Sequence, residues 1–290
     1  MVKQLILFFT ILILVSGFTL FHCTPGTTAP EFKEEIIVNG YLIVGHGVDT
    51  IYVSKSLTMD RSYSRDAAAL STDSIFITVN GRSYRLFEYD DKPGAYYLPR
   101  DSMTITPGFE YQLSIHVNNK TIRASTIAPE QIRIKSLNTD TSFCPYPDPE
   151  KSTRFQISWD KTDFTAAYEI SVISKQPHDL IDWGFEQMIE HRLERFDYDT
   201  LLAFPPVSDF PVGKNETSAE ISWYAFCYYG DHTVKLYAID DNLWDLASSS
   251  VVYMPQSSEF EQPVYRIEGG IGIFAAVSVD SVHIHVKRQE

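Results

Sequence analysis

The sequence predicts an all-β protein made of two tandem β-sandwiches. Three observations carry that expectation. From residue 31 onward apolar side chains recur mainly at a period of two, as in a strand with one buried face. Turn dipeptides containing Gly, Asn or Pro break the alternation at short intervals, which is the pattern of hairpins. Helical spacing appears in one stretch only, near residues 179–195.

The chain opens differently. Lys3 precedes an apolar run, Leu5 to Val15, broken only by Thr10, and apolar character continues weakly to Phe21. Residues 1–22 therefore read as a secretory signal peptide. Leu5–Phe21 is 17 residues long, the low end of what crosses a ~30 Å hydrocarbon core, so an uncleaved anchor is the competing reading. Cys23 follows the run, with Leu20 in the apolar slot of a lipoprotein signal and Phe21 and His22 in slots that small residues usually fill. A conventional cut after Gly17 is a further alternative. The expectation is lipidation at Cys23, with residues 23–33 as a small, polar tether.

The first sandwich is expected over 34–128. Ile36–Val44 and Thr50–Lys55 are β-rich. Ile75, Ile77 and Val79 share a face, Asn80–Gly81 turns the chain, and Tyr84, Leu86 and Phe87 follow. Asn-Gly between such runs is a strong hairpin signal, because both central residues of the turn need positive φ. A second hairpin opens at Pro107–Gly108. It alternates through Tyr111, Leu113, Ile115 and Val117, turns at Asn118–Lys120, and returns through Ile122, Ala124 and Thr126. The domain reads as transthyretin- or immunoglobulin-like.

The second sandwich is expected over 129–290, entered through a segment with Pro145, Pro147 and Pro149. Phe155, Ile157 and Trp159 share one strand face, and Tyr168, Ile170 and Val172 another. Ile181, Phe185, Met188, Ile189 and Leu193 form the stripe of the inserted helix at 179–195. A long loop with Pro205, Pro206 and Pro211 is expected over 196–218. Strands resume at Ala219–Tyr229, at Thr233–Asp240 and at Ser281–Lys287. The domain reads as fibronectin type III-like with one insertion.

Charge and composition exclude several classes. The net charge is −14, whereas a nucleic-acid binder needs clustered Lys and Arg. Three cysteines in 290 residues exclude a disulfide-dense mini-protein. With Cys23 lipidated, Cys144 and Cys227 remain as a candidate disulfide in an oxidising envelope; the alternative is a buried Cys227 and a free loop thiol at Cys144.

Several segments together resemble a known family. They are Ile36-Ile37-Val38-Asn39-Gly40, Gly94-Ala95-Tyr96, Pro107-Gly108-Phe109-Glu110-Tyr111, and the ending Arg266-Ile267-Glu268-Gly269-Gly270-Ile271-Gly272-Ile273-Phe274-Ala275. This pattern, behind a signal with a cysteine, resembles the domain of unknown function 4249. The resemblance implies an outer-membrane lipoprotein of a Gram-negative bacterium, often encoded beside a TonB-dependent receptor. It implies no catalytic residues.

Motifs that carry chemistry are scarce. Gly270-Ile271-Gly272-Ile273-Phe274-Ala275 matches G-x-G-x-x-A, but a dinucleotide site needs a following helix and a distal acid. The residues after Ala275 read as a strand, and a close approach of backbones explains the glycines better. His283 and His285 share a strand face, a metal pair lacking a third ligand. The acidic pairs Asp90–Asp91, Asp197 with Asp199, and Asp240–Asp241 read as solvated loops. In Trp223–Tyr229 both strand faces are aromatic, which means either a core or an exposed patch. No metal and no cofactor is expected.

The functional expectation is a non-enzymatic, membrane-tethered envelope protein that binds or presents a ligand or partner, accessory to an outer-membrane receptor. The alternatives are a structural or adhesive surface protein and a carbohydrate-active enzyme. The expected contact region is the loop 196–218, whose Phe196, Tyr198, Phe204 and Phe210 are apolar anchors on a Pro-stiffened backbone. The competing reading is that these rings pin the loop to its own domain.

Overall fold

The computed structural model describes residues 32–72, 74–138, 142–143, 155–175, 207–221, 225–226, 228–249 and 263–288. Residues through Glu34 form one unit, of which 32–34 are described, and Glu35–Glu290 form a second unit that contains both sandwiches. The protein is all-β.

In the first sandwich, one sheet contains β1 (Ile36–Ile43), β2 (Ile51–Lys55), β6 (Lys92–Tyr97) and β5 (Phe87–Tyr89). The facing sheet has the order β16 (Ile267–Glu268), β8 (Lys120–Ile127), β7 (Glu110–Val117), β3 (Ile75–Val79) and β4 (Arg82–Arg85). The period-two positions point inward as expected: Ile75, Ile77, Tyr111, Leu113, Ile115 and Ile122 share one core with Val38, Leu42, Ile51 and Tyr96. Both two-residue turns are left-handed, with φ of 49° and 73° at Asn80–Gly81 and of 50° and 60° at Asn118–Asn119. At Leu86 the chain changes sheets: its side chain enters the core while its amide donates to the Ile75 carbonyl at 3.0 Å.

The second sandwich packs β9 (Ile134–Leu137), β11 (Phe155–Trp159) and β14 (Ser218–Ile221) against β13 (Val207–Gly213), β12 (Ala167–Ser174), β15 (Gly230–Ile239) and β17 (Ile271–Val286). Three strands facing four is the arrangement expected of a fibronectin type III-like domain. The core holds Phe155, Ile157, Tyr168, Ile170, Phe226, Val234 and Leu236. Trp159 and Tyr168 meet edge to face at 5.2 Å, as do Phe155 and Phe226 at 5.4 Å.

One strand joins the two sandwiches. β17 runs for 16 residues. Its first half pairs in parallel with β1, from Ile37↔Ile271 to Ile43↔Val277. Its second half pairs antiparallel with β15, from Ile239↔Val277 to Gly230↔Val286. β10 (Ser142–Phe143) pairs with its end. The boundary expected at residue 128 is therefore incomplete, because residues 267–277 return to the first sandwich. The final strand is also more than twice as long as Ser281–Lys287. Phe274 to Ser278 are buried at every position, and a strand covered on both faces loses the alternation that marks it in sequence. The glycines before it serve close approach. A Cβ on Gly272, whose φ is +110°, would lie 2.1 Å from the Val38 carbonyl oxygen. No helix follows, so the G-x-G-x-x-A match is not a dinucleotide loop.

Two further expectations change. Residues 207–213, placed in the long loop, form β13, paired with β12 from Ala167↔Gly213 to Ile173↔Val207. Pro211 fits because β13 is the edge strand, where a missing amide costs no ladder bond. The strand expected over 219–229 is shorter: β14 ends at Ile221, and Ala225 and Phe226 lie outside strands. Phe226 and Tyr228 are buried, so the described part of that aromatic run is core. The expected helix at 179–195 lies outside the described residues.

Candidate partner-binding groove at the junction of the sandwiches

The junction is built around a helix the sequence reading missed. The chain leaves β15 at Ile239 and forms α2 (Asp241–Ser249); α1 is the short turn Arg65–Ala68. Asp240 caps α2, accepting from the Leu243 amide at 2.9 Å. Its other carboxylate oxygen accepts from the Ala276 amide at 3.1 Å and from the Thr126 hydroxyl. One carboxyl group thus ties β8, β15, β17 and α2 together. Asn242 adds two bonds, donating to the Ser125 carbonyl at 2.6 Å and the Phe274 carbonyl at 2.7 Å. Asp240, expected from the sequence to be a solvated loop acid, is 3% exposed. Burial pushes its carboxyl up to about 6, against the pull of its three hydrogen bonds, and neighbouring Asp241 raises it further. The signal was available: an Asp-Asp-Asn sequence before Leu243 and Leu246 is a helix start.

Above this floor lies a cleft of about 220 Å³, lined by Glu110, Ile127, Phe164, Asp241, Asn242 and Arg266. It continues into a shallow groove of about 650 Å³ over the outer face of the β16–β8–β7–β3 sheet, where Gln112, Ser114, Arg123 and Tyr265 line it. Glu110, Ser125 and Arg266 border both. The floor is polar because these are the outward positions of strands whose alternate residues fill the core.

The rim is apolar. Phe164 is 53% exposed, Ile127 42% and Tyr265 37%; Val264, next to Tyr265 in sequence, and Phe109, next to Glu110, are exposed as well. Phe164 has φ +57°, a left-handed conformation that a bulky side chain adopts only at a cost. Its ring lies over Gly108, where an added Cβ would be 3.4 Å away. Arg266 is held in place: its Nε and Nη2 both reach the Asp245 Oδ2, at 2.6 and 2.5 Å. A strained exposed aromatic beside other exposed apolar side chains, ringed by fixed charges, has the composition of an interaction surface. Sequence reasoning missed Phe164, because nothing in Asp163-Phe164-Thr165 signals a positive φ.

The residues singled out from sequence fall elsewhere. Cys23, Cys144, Cys227, Phe196, Tyr198, Phe204, Asp197 and Asp199 lie outside the described residues. Phe210 sits on β13, half-buried and packed against the second core; it is not a free loop anchor. His283 and His285 do share an exposed face, and each is engaged. His285 Nδ1 is 2.7 Å from Asp231 Oδ1, and His283 Nδ1 is 3.2 Å from both Lys175 Nζ and the Thr233 hydroxyl. Among the described residues no three His, Cys, Asp or Glu side chains group as metal ligands. Asp90 and Asp91 are exposed at the β5–β6 turn. Among the described residues no helix is long and apolar enough to cross a membrane.

The strand pairing gives the resemblance noted above a physical basis, since the glycine-rich ending lies directly against the Ile36–Gly40 segment. The model of the domain of unknown function 4249 matches residues 26–282. The chain belongs to that family. No curated protein matches. Among solved structures, the crystal structure of the chicken CNTN1 FN1–FN3 domains is similar at 12% identity, with a TM-score of 0.23. That match covers 69% of this chain, which spans 57% of the length of that structure. The assignment of the DUF4249 chain to sandwiches comes from its own strand order.

Proposed function

We propose that this protein is a non-enzymatic, lipid-tethered component of the outer membrane that holds a protein partner, as an accessory to a TonB-dependent receptor. The observation that carries the reading is the apolar rim around Phe164 at the junction groove. An aromatic side chain kept half exposed in a strained left-handed conformation points to use at an interface. The apolar run ending at Cys23 supplies the tether, and the family resemblance supplies the receptor as partner. The aromatic segment 196–206 belongs to the same reading as a second contact region.

The test is site-specific photocrosslinking in intact envelopes, with the crosslinker at position 164, at 204, or at Met59, which is fully exposed and far along the chain. A crosslinked outer-membrane receptor from 164 and not from 59 supports the groove. Adducts from 204 alone move the interface to the loop. No envelope partner from either position rejects the binding reading in favour of a structural or adhesive role. Labelling with a palmitate analogue, present in the wild type and lost in Cys23→Ala, tests the tether.

A further inference from the structure

The two most exposed large apolar side chains among the described residues stand on one loop, between β2 and α1. Met59 is fully exposed and Tyr63 is 78% exposed, against 53% for Phe164, the next. Both ends of the loop are fixed. At one end the Ser56 amide donates to the Glu35 carbonyl and the Glu35 amide to the Ser56 hydroxyl, each at 2.9 Å. At the other, Ser64 caps α1 by accepting from the Ala67 amide at 3.1 Å, and Ala69 bridges back to Ser54 on β2. Between them the Arg61 amide donates to the Thr58 carbonyl at 3.1 Å, which closes a turn with Met59 and Asp60 at its tip. A pinned turn thus holds an apolar side chain wholly in water, which is unfavourable.

The place of the loop says what covers it. Glu35 begins the unit that contains both sandwiches, so the segment from Cys23 enters that unit beside Ser56. The twelve residues from there to Glu35 span at most about 43 Å. Any bilayer that holds Cys23 therefore meets this end of the unit first.

We propose that Met59 and Tyr63 insert into the interface of the bilayer that holds the tether, so that the loop and Cys23 together fix how the molecule stands on the membrane. This rests on the lipidation of Cys23 proposed above. A flexible thioether and an amphipathic phenol suit the boundary between headgroups and acyl chains. Two side chains on a narrow turn bury far less than the ~800 Å² per partner of a stable protein interface. A bilayer demands no matching shape, and a second attachment beside a first gains from its high effective concentration. Charge sets the depth. Asp60 is fully exposed, and the Thr58 hydroxyl first, with Arg61 adding to it, holds its carboxyl below the usual range, so the tip stays among the headgroups. Lys55, Arg61 and Arg65 are matched in number by Glu35, Asp60 and Asp66, and Arg65 lies 5.5 Å from the Tyr52 ring centre. The contact therefore needs no anionic lipid.

The experiment reconstitutes the intact chain in phosphatidylcholine vesicles that include a phosphatidylcholine with a diazirine on its acyl chain. After irradiation, trypsin places Met59 in the peptide Ser56–Arg61, Tyr63 in Ser62–Arg65 and Phe164 in Thr162–Lys175, and mass spectrometry maps the lipid adducts. The first two peptides should carry roughly 10-fold more adducts than the third. Replacing both residues, Met59→Ser with Tyr63→Ser, should lower the loop adducts about 10-fold, and Met59→Leu should keep them. Metabolic labelling of the same preparation with a palmitate analogue reports the tether separately. An acylated chain whose adducts spread evenly, or spare the loop, overturns the insertion and leaves the tether standing. Loop adducts that persist in the double variant overturn it as well. Loop adducts on a chain without acylation support the insertion and reject the tether, and a chain with neither overturns both.

Discussion

Asp240 makes the stability of the junction depend on pH in a direction opposite to that of an ordinary paired carboxylate. Its carboxyl titrates at about 6 in the folded chain against an ordinary value of 3.8. Between those values the folded state keeps a proton that the unfolded state has lost. The group's contribution is therefore complete below about pH 4 and falls away as pH rises through 6. A difference of about two units corresponds to ~3 kcal/mol, a large share of the 5–15 kcal/mol typical of a domain. Asp240→Asn keeps the shape and cannot ionise. It leaves either the Leu243 or the Ala276 amide without an acceptor, a cost of roughly 1–3 kcal/mol. The variant should be clearly less stable than the wild type at pH 4 and should match or exceed it at pH 7, as the difference moves by up to ~3 kcal/mol. Urea unfolding followed by tryptophan fluorescence at several pH values between 4 and 7 measures this. Comparing the two proteins cancels the titration of all other groups. A stability difference that stays flat across that range would refute the argument that this buried carboxyl is protonated within it.

Three other outcomes are expected. Gly272→Ala places a methyl 2.1 Å from the Val38 carbonyl oxygen at a φ of +110°; overpacking and strain together should cost at least ~3 kcal/mol, read as a large fall in melting temperature or loss of soluble protein. Phe164→Gly should raise stability by about 1 kcal/mol by relieving a left-handed backbone, while abolishing receptor capture at the groove; a destabilised variant would mean that the ring serves the fold. Thiol labelling of unreduced, unfolded protein should find Cys144 and Cys227 unreactive if they are bonded, and reduction should then lower stability by up to ~4–5 kcal/mol, the chain-entropy limit for a loop of that size; two reactive thiols exclude the bond.

What was legible in the sequence was local. Ile75, Ile77 and Val79, Tyr111 through Val117, Phe155 through Trp159, and Val234 through Ala238 all turn their apolar positions inward as their spacing demanded. Asn80–Gly81 and Asn118–Asn119 make the turns their residue types favour. These features rest on interactions between residues a few positions apart, so the sequence pattern carries them directly. Where several segments cover one another, the pattern fell silent. The middle of β17 is buried on both faces and shows no alternation, and β13 reads as a loop because Pro211 is tolerated only by virtue of an edge that the whole sheet defines.

The sequence by itself determined that this is an all-β chain of two sandwich-like halves, acidic and without a recognisable catalytic motif. Only the tertiary structure decided that the first and last strands pair in parallel, so that one strand is shared between both cores. Parallel neighbours cannot be joined by a tight turn; here nearly the whole chain is the connection, and no local signal encodes that closure. The same holds for Asp240, whose burial is set by Thr126, Leu243 and Ala276, and for Met59 and Tyr63, whose loop stands beside Glu35 only through the pairing of β1 with β2. A side chain's own residue type sets what chemistry it can do. Which charges and rings stand beside it, and whether water reaches them, depends on segments far away in the chain.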